Sequence, residues 1–437
     1  MNPTTLAALE AADRYETQRQ ACPPAGFPAL PEVPGGRYTR QDFFELEKQA
    51  VWRQSWVCVG LENQVKNPGD YTCWDKLDAP IILVRGMDNV LRAFMNTCRH
   101  RGARLTSQDT GNVRHLRCQY HSWSYKLTGE LMGVPDERDF IHLNKADKGL
   151  LALRCDVWNG LVFVTNNKDA PAVAESLGQI TQDFSTIDIN ALRVVQHTTM
   201  HLKCNWKAGV DAFLESYHVK TIHKDTVSQM LNVDGTVMTL LENGHSRMVM
   251  PRKHSDRDPQ KNVNFNAHAN APDIEGMHAT FAANSHVYHV FPNMIIPLEK
   301  SGFPILRFWP LGKDECEMEV IFLGPDWGDG ERPPIWDYFM QVFNKIMAED
   351  VSCLASIQKS LKSDAFTGMM LNYQERRIYW LHEQIDRCIG VDKLPPELAV
   401  KQVLRDYMTM PFEQLAVSAA NSASSITLAA DSSTLLS

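Results

Sequence analysis

Hydrophobic residues recur at helical spacing in a few long stretches of the chain and form short apolar runs between them. Residues 4–19 predict a helix, and the proline-rich connector at 21–36 ends it because proline lacks a backbone donor. A second helix is predicted from Thr39, with Asp42 in its first turn, where a negative charge suits the helix dipole. We therefore interpret residues 1–45 as an N-terminal helical arm rather than a domain.

From residue 56 to about residue 165 the pattern changes to short β-rich runs that are separated by turns. Residues 79–96 predict two strands around a Gly-Met-Asp-Asn hairpin loop, and residues 158–166 predict another strand. This texture predicts a small all-β unit, and we place its limits at residues 46–165.

The following stretch, residues 166–415, mixes predicted strands with predicted helices. Three strands and one long amphipathic helix are predicted there, at 286–298, 302–311, 316–325 and 333–363. The end of the chain, residues 416–437, is rich in Ser and Ala, and we expect this tail to be disordered or loosely packed. The fold class that follows from these elements is α+β.

The composition of the 437-residue chain narrows the classes of function. Hydrophobic residues make up 44% and charged residues 22%, as in ordinary globular proteins, and the net charge of −8 argues against nucleic acid or an anionic membrane as the main partner. No apolar run approaches the ~18–20 residues of a membrane helix, and the N-terminus lacks the apolar core of a secretory signal, so we expect a cytoplasmic protein. Ten cysteines are too sparse for a disulfide scaffold.

Two short knuckles each combine one cysteine with one histidine, as Cys98-x-His100 and Cys118-x-x-His121. Thiolates and neutral imidazoles are strong ligands for borderline metals, so the four side chains predict a metal site. A structural zinc site is one alternative, although zinc modules tend to group their cysteines in one knuckle and their histidines in another. One of each residue in each knuckle suits a two-iron cluster in which one iron takes both cysteines and the other both histidines.

A second candidate site lies nearly a hundred residues further on, where Glu215, His218 and His223 follow one another. Two histidines five residues apart are weak evidence for a ligand pair, and a purely structural role stays open. On a straight helix residues i and i+4 share a face, so both imidazoles could reach one ion only if the helix ends or distorts between them.

The predicted helix at 333–363 offers a third ligand in Asp350, which lies on its apolar stripe between Met347 and Leu354. A carboxylate on a buried face is costly unless it is paired or binds a metal, and a buried salt bridge is the alternative. We interpret Glu349, one turn after Lys345, as half of a solvated ion pair. Two histidines and one carboxylate are the facial triad of non-haem iron oxygenases, although zinc hydrolysis could use the same ligands.

The two motif sets, in this order, resemble the catalytic α subunit of Rieske non-haem iron oxygenases, an aromatic ring-hydroxylating family. The stretches "CRHRGA", "CQYHSWSY", "NWK" and "ED…IQKSL" carry the resemblance, which covers roughly residues 40–400. It implies an all-β Rieske domain at 46–165 and a helix-grip (START-like) catalytic domain at 166–415. In the latter, a curved antiparallel sheet and a long helix enclose a substrate cavity.

The resemblance also implies residue roles, in which the [2Fe-2S] cluster is held by Cys98 and Cys118 on one iron and by His100 and His121 on the other. The mononuclear Fe(II) would be held by His218, His223 and Asp350. Glu215 stands where the family has an acid that bridges a cluster histidine of one subunit and an iron-ligating histidine of the next, here His121 and His218, and this implies a head-to-tail homotrimer.

Position 215 departs from the pattern of many ring-hydroxylating dioxygenases, which carry Asp at this bridge. Glutamate occurs in branches that demethylate quaternary amines and in others that resemble aromatic or polycyclic hydroxylases. The motif therefore leaves the substrate open. Several aromatic residues of the catalytic half could line an apolar pocket or a cation cage, or belong to the core: Tyr217, Phe265, Tyr288, Phe291, Phe308 and Trp309.

These patterns predict a terminal oxygenase that uses O2 to hydroxylate an apolar, aromatic or alicyclic substrate. No GxGxxG motif opens a helix after a strand, so a separate NADH-dependent reductase must supply electrons, directly or through a ferredoxin. A β subunit could join the trimer. Oxidative N-demethylation of a quaternary amine is the alternative within the family, and a non-catalytic zinc-bearing ligand-binding module is the alternative from another class.

Overall fold

The computed structural model describes residues 3–18, 23–24, 26–77, 79–253, 272–277 and 279–408. The predicted tail at 416–437 lies outside the described residues. By their internal contacts the described residues form two compact units. We call Leu46–Ser176 with Asp188–Ala191 the β unit, and the remaining described residues the mixed unit.

In chain order, the strands of the described residues are β1 (Val33–Pro34), β2 (Val57–Leu61), β3 (Asp70–Lys76), β4 (Ala79–Arg85), β5 (Leu91–Met95), β6 (Thr110–Asn112), β7 (Leu116–Arg117), β8 (Ser124–Tyr125), β9 (Leu131–Gly133), β10 (Ala152–Trp158), β11 (Leu161–Thr165), β12 (Leu192–Leu202), β13 (Val237–Leu240), β14 (Ser246–Pro251), β15 (Asn284–Val290), β16 (Met294–Leu298), β17 (Phe303–Gly312), β18 (Glu315–Pro325) and β19 (Gly368–Met369).

The α-helices of the same residues are α1 (Pro3–Gln18), α2 (Gly36–Thr39), α3 (Gln41–Glu47), α4 (Val173–Leu177), α5 (Gln179–Asp183), α6 (Trp206–Asp211), α7 (Val219–Ile222), α8 (Val227–Met230), α9 (Ala279–Ala283), α10 (Ile335–Val351), α11 (Leu354–Ser360), α12 (Arg376–Ile389) and α13 (Leu404–Met408). A π-helical turn spans Lys48–Trp52, and the 3-10 turns are Glu62–Val65, Glu137–Asp139, Lys145–Lys148, Ile189–Ala191, Val233–Gly235, Glu242–Gly244, Tyr373–Glu375, Val391–Lys393 and Pro396–Leu398. None of the helices in the described part of the chain is both long and apolar enough to span a bilayer.

The β unit is built from two antiparallel sheets, which agrees with the predicted all-β texture. Seven strands lie in the order β2-β11-β10-β5-β4-β3-β6, and a small sheet has the order β7-β8-β9. The predicted hairpin is formed by β4 and β5 around residues 86–90. Ile82, Val84 and Phe94 of this hairpin belong to a buried cluster that also contains Cys98 and Cys118. The hydrophobic core therefore reaches the two cysteine knuckles.

The mixed unit is organised by one curled antiparallel sheet of seven strands, in the order β12-β18-β17-β16-β15-β14-β13. Helix α10 packs on one end of it, where Trp336 and Phe339 join Phe322 of β18 in a buried cluster. Burying such aromatic side chains contributes roughly 2 kcal/mol each. A helix held against a curled sheet is the predicted helix-grip arrangement.

Two elements differ from the predicted pattern. The predicted strand at 286–298 is the hairpin of β15 and β16, which turns at Phe291–Asn293, because a proline and an asparagine there favour a turn. The predicted helix at 333–363 breaks between α10 and α11. There the Ser352 hydroxyl donates to the Glu349 carbonyl at 2.7 Å and competes with backbone N–H groups for this acceptor. Beyond the break Leu354 and Leu361 of the predicted apolar stripe are buried, whereas Ile357 is 43% exposed.

Candidate metal centres and cavity

The two cysteine knuckles of the β unit fold into nearly identical turns. The Cys98 N–H donates to the Ala103 carbonyl at 2.8 Å, and its carbonyl accepts from Gly102 at 3.0 Å. The Cys118 N–H likewise donates to Trp123 at 2.9 Å, and its carbonyl accepts from Ser122 at 3.0 Å. The fourth residue after each cysteine has a positive φ, +79° at Gly102 and +58° at Ser122, and a glycine relieves that strain in the first turn. Each turn presents its thiol from a rigid backbone.

The four predicted ligands lie together at the tip of the β unit. Both cysteines are buried free thiols. The imidazole rings of His100 and His121 are 4.7 Å apart between centroids, and His100 stacks on Trp123. The Nδ1 atom of His121 is buried and has no hydrogen-bond partner among the described residues. A buried ring nitrogen without a hydrogen-bond partner is available to bind a metal, as are the two buried thiols.

Electrostatics at this tip also fit a bound cation. Burial raises the pKa of the Cys98 thiol, a hydrogen bond from Tyr125 offsets part of this, and the neighbouring Cys118 adds to it. The Tyr125 hydroxyl lies 3.3 Å from the Cys98 sulfur and accepts the Arg99 N–H at 3.0 Å. Two adjacent buried thiols ionise only with a compensating positive charge, and metal ions supply it.

In the mixed unit, His218 and His223 flank a helix of a single turn. Helix α7 covers only Val219–Ile222, so His218 lies directly before it and His223 directly after it. The predicted interruption is therefore present, and the two ring centroids are 5.1 Å apart. Asp350 approaches them from the last turn of α10. The alternative in which these histidines are unrelated core residues does not fit this convergence.

The geometry of the three side chains is that of a ligand set. One ligand atom from each of His218, His223 and Asp350 can be chosen so that all three lie within 4.8 Å of one another. The Asp350 Oδ1 atom is 2.9 Å from the His223 Nε2 atom and 3.5 Å from the His218 Nε2 atom. Both Nε2 atoms therefore point at one carboxylate oxygen. This arrangement could hold one divalent cation with coordination positions left open.

Both Nδ1 atoms of the histidines meet further carboxylates, one of which the sequence interpretation missed. The His218 Nδ1 atom contacts Glu215, whose second oxygen accepts the backbone N–H groups of Tyr217 and His218. The His223 Nδ1 atom lies 2.8 Å from Glu349, which also accepts from Thr226 at 2.6 Å. The interpretation of Glu349 as a solvated ion pair with Lys345 was therefore wrong. Its position next to Asp350 on the last turn of α10 was the signal that could have identified it.

These carboxylates change the proton affinity of the histidines. Burial works against the charged form of His218, but pairing with Asp350 and Glu215 outweighs it and raises the pKa of the imidazole to about 10. The pKa of His223 is raised in the same way, by Asp350 and Glu349 against burial. Three carboxylates around two imidazoles attract positive charge, which is what a divalent-cation site requires.

The segment that carries Glu215 is held by a buried chain of hydrogen bonds from α2 and α12. The Arg37 Nε atom donates to the His382 Nδ1 atom at 3.0 Å, and arginine only donates, so His382 accepts there. Burial lowers the pKa of His382 well below its usual value, so its Nε2–H donates to the Tyr38 hydroxyl at 2.7 Å. Tyr38 in turn donates to Asp211 at 2.6 Å. All donations therefore run towards Asp211, four residues before Glu215.

Burial raises the pKa of Asp211 to about 7, with the Tyr38 hydrogen bond and the Lys207 charge opposing and the Glu215 carboxylate adding. Its Oδ1 atom is buried and has no hydrogen-bond partner in the described part of the chain. We expect the stabilising contribution of this carboxyl to be complete below about pH 4 and to be lost as the pH rises through about 7.

Asn at position 211 does not titrate. The free energy of unfolding of Asp211→Asn should therefore rise relative to that of the wild type by roughly 1 kcal/mol per pH unit between about pH 4 and 7. Denaturant unfolding of both proteins at several pH values in that range measures the difference. Parallel pH profiles for the two proteins would contradict the raised pKa of Asp211.

A large cavity lies on the sheet face of the mixed unit beneath α10, and the triad forms part of its wall. It encloses about 1160 Å³, counted out to its opening, and most of its lining is apolar. Five aromatic side chains line it: Phe213, Phe322, Tyr338, Phe339 and Phe343. A molecule in this cavity can reach the triad directly.

None of the five described aromatic residues that the sequence offered as candidates lines this cavity. Tyr217 is 61% exposed, and Phe265 lies outside the described residues. The other four are buried core: Tyr288, Phe291, Phe308 and Trp309. Their type alone did not reveal which face of the sheet they occupy.

Two family models match the chain, one to each unit. The Rieske [2Fe-2S] domain matches residues 55–147, and the ring hydroxylating alpha subunit (catalytic domain) matches residues 189–391. The first match contains the four residues of the cysteine knuckles, and the second contains the triad and Glu215. These assignments disfavour the zinc alternatives at both sites.

Similar proteins agree with the two domain matches. The chain is 26% identical over 355 residues to the oxygenase subunit of carnitine monooxygenase from Escherichia coli (strain K12), covering 79% of this chain and 89% of that one. It is 34% identical over 192 residues to the alpha subunit of chlorobenzene dioxygenase from Cupriavidus sp. (strain PS12), covering 42% of each.

A solved quaternary ammonium Rieske monooxygenase superimposes with a TM-score of 0.70 over 84% of this chain and 100% of that one, at 20% identity, and shows the shared fold. Both domains, their order and the ligand geometry point to one conclusion. The chain belongs to the Rieske non-haem iron oxygenases, as a catalytic α subunit that uses a [2Fe-2S] Rieske cluster and a mononuclear iron.

Proposed function

We propose that this chain is the terminal oxygenase component of a multicomponent system that hydroxylates an apolar, aromatic or alicyclic substrate with O2 and electrons from NADH. One observation carries the proposal: His218, His223 and Asp350 converge within 4.8 Å in the wall of a largely apolar cavity. When bound, the Fe(II) supplies open coordination positions for O2 and activates it next to the substrate.

The chain's own residues hold and orient that iron. The Nε2 atoms of both histidines and the carboxylate of Asp350 would be its ligands. Glu215 and Glu349 accept from the two Nδ1–H groups, and this fixes the tautomer that leaves Nε2 free to bind the metal. The cavity wall beside these ligands is largely apolar.

The electron path begins at the cysteine knuckles. Cys98 and Cys118 would bind one iron of the cluster, and His100 and His121 the other. Members of this family receive electrons from a separate reductase and form multimers. For this chain we infer an NADH-dependent reductase that acts directly or through a ferredoxin, and a head-to-tail homotrimer with or without a β subunit. In this trimer Glu215 would bridge His218 to His121 of the neighbouring subunit. We keep residues 46–165 and 166–415 as the predicted limits of the two domains.

The second candidate reaction is oxidative N-demethylation of a quaternary amine. The match to carnitine monooxygenase over 89% of that protein's length favours it. The five aromatic residues of the cavity wall could also contact a quaternary ammonium group.

A turnover assay with a surrogate reductase, NADH and a substrate panel tests both reactions. Substrate-dependent O2 uptake with a hydroxylated product supports the first reaction, and release of formaldehyde supports the second. Turnover by the purified chain with NADH alone would contradict the need for a separate reductase.

We expect the Glu349→Gln variant to bind Fe(II) about 10- to 100-fold more weakly, because an amide supports the His223 imidazole less well than a carboxylate. Competition with a chelator measures this affinity, and the visible spectrum of the Rieske cluster should not change. Lys345→Gln is the matched control, since a solvated ion pair between Lys345 and Glu349 would make both variants behave alike. Equal iron affinity in the wild type and Glu349→Gln would remove the role of Glu349.

A further inference from the structure

The cavity wall contains one charged cluster besides the metal ligands and Glu215. Arg252 directly follows β14, Glu299 directly follows β16, and Ser285 is the second residue of β15 between them. The strand register pairs Met250 with Ser285 and His286 with Leu298, which brings Ser285 opposite Glu299. All three members of this cluster line the cavity. We call them the polar row.

Both oxygens of the Glu299 carboxylate already accept hydrogen bonds within the polar row. The Ser285 hydroxyl donates to the Glu299 Oε1 atom at 2.6 Å. The Arg252 Nη2 atom donates to the other oxygen, Glu299 Oε2. A cationic ligand would have to compete with both donors for Glu299.

The guanidinium of Arg252, in contrast, has donors to spare. Arginine carries five N–H donors, and only the Nη2 atom of Arg252 has a side-chain partner among the residues that the structure describes. Its side chain is 20% exposed, and it is the only lysine or arginine in the described lining of the cavity. The remaining N–H donors of the guanidinium are therefore available to a ligand in the cavity that accepts hydrogen bonds.

A carboxylate is the group that best matches this edge, because its two oxygens can accept two parallel N–H donors of a guanidinium. A purely hydrocarbon substrate would gain nothing from a partly buried charge pair that is costly to desolvate further. In the absence of ligand, Glu299 neutralises Arg252, and Ser285 and Glu299 together fix the orientation of the guanidinium.

We propose that Arg252 binds the carboxylate of a substrate whose apolar body extends along the cavity towards the triad, with Glu299 and Ser285 as positioning residues. This rests on the proposed function, since it takes the cavity as the substrate site. The proposal narrows the substrate class to apolar acids. Zwitterions that carry a carboxylate are tested beside them.

Binding without turnover tests this proposal. Anaerobic, metal-loaded full-length protein is titrated calorimetrically with phenylalkanoates from benzoate to 5-phenylpentanoate, with the matched phenylalkanols, and with γ-butyrobetaine as the zwitterion. At least one acid should bind about tenfold or more tightly than its alcohol. If no acid in the series does so, and γ-butyrobetaine does not bind either, the proposal is overturned.

Two variants with opposite expected effects sharpen the test. Arg252→Met should weaken binding of the preferred carboxylate about tenfold and leave its matched alcohol unchanged. Glu299→Gln should strengthen carboxylate binding, because Arg252 loses its counter-ion and the amide still accepts from Ser285. Arg332→Met, an exposed arginine just before α10, is the control and should change neither. Carboxylate binding that is unchanged in Arg252→Met would overturn the proposal.

The same measurements distinguish a failure of this proposal from a failure of the proposed function. If γ-butyrobetaine is the tightest ligand and its binding depends on Arg252, the carboxylate contact stands and the substrate is a zwitterion. Iron content and the cluster spectrum are measured on the same samples. If the protein carries iron and the cluster but carboxylate binding does not depend on Arg252, only the role of Arg252 is overturned. If the protein takes up no iron, the proposed function is overturned, and the dependence of binding on Arg252 can still be measured.

Discussion

When loaded with excess Fe(II), the Glu215→Gln variant should hold both metal centres and lose about 100-fold in the rate at which electrons pass from the cluster to the mononuclear iron. Glu215 contacts the His218 Nδ1 atom and folds back onto the backbone N–H groups of Tyr217 and His218. The amide keeps the size of the side chain but removes the charge that, in the proposed trimer, would couple the His218 imidazole to His121 of the neighbouring subunit. Rapid mixing of prereduced enzyme with substrate and O2 measures the oxidation rate of the cluster.

The control for this experiment is Glu242→Gln, a change at an exposed glutamate of the same unit. It should transfer electrons at the wild-type rate. Iron and labile sulfide contents that match the wild type establish that Glu215→Gln acts on transfer and not on assembly. Full turnover by Glu215→Gln would remove the bridging role of this residue.

Variants at the two metal centres should each lose one centre and keep the other. Cys98→Ser should lose the colour of the cluster and keep the mononuclear iron, because Ser lacks the thiolate that holds the cluster. Asp350→Ala should keep the colour and lose the mononuclear iron, since only two histidines remain. Each variant alone should form no product, and metal analysis with visible spectra shows which centre is missing.

Mixing these two variants also tests the path of the electrons. In mixed copies of the proposed trimer, a Cys98→Ser subunit would still have its mononuclear site and an Asp350→Ala subunit would still have its cluster. Co-expressed subunits should therefore regain part of the activity if electrons cross between subunits. Mixed trimers without activity would show that both centres of one chain must cooperate, and Glu215 could not bridge neighbouring subunits.

The sequence indicated most of the fold because its strands and helices carry their own periodicity. The all-β texture before residue 165, the strands β17 and β18, and the long helix were all predicted. The break at Ser352 was not, because a serine hydroxyl that competes with backbone N–H groups for a helix carbonyl leaves no gap in the hydrophobic pattern. Hairpin β15–β16 was read as one strand because both of its arms are apolar.

The candidate metal ligands were accessible to sequence reasoning since ligand chemistry restricts residue type and spacing. Asp350 stood out as a carboxylate on an apolar stripe, and the structure places it beside both histidines. Glu349 was missed because its partner, His223, is distant in the sequence. The polar row was missed for the same reason, since its three members lie in or directly after three different strands. Contacts between distant segments leave little local signal, and for Glu349 that signal was its position next to Asp350.

The most direct test is the metal and sulfide content of the protein purified without oxygen. A [2Fe-2S] cluster and one mononuclear ion require about three irons and two acid-labile sulfides per chain, and the solution should be red-brown with the spectrum of a histidine-ligated cluster. A colourless preparation that contains zinc and no sulfide would contradict the assignment of an electron-transferring oxygenase.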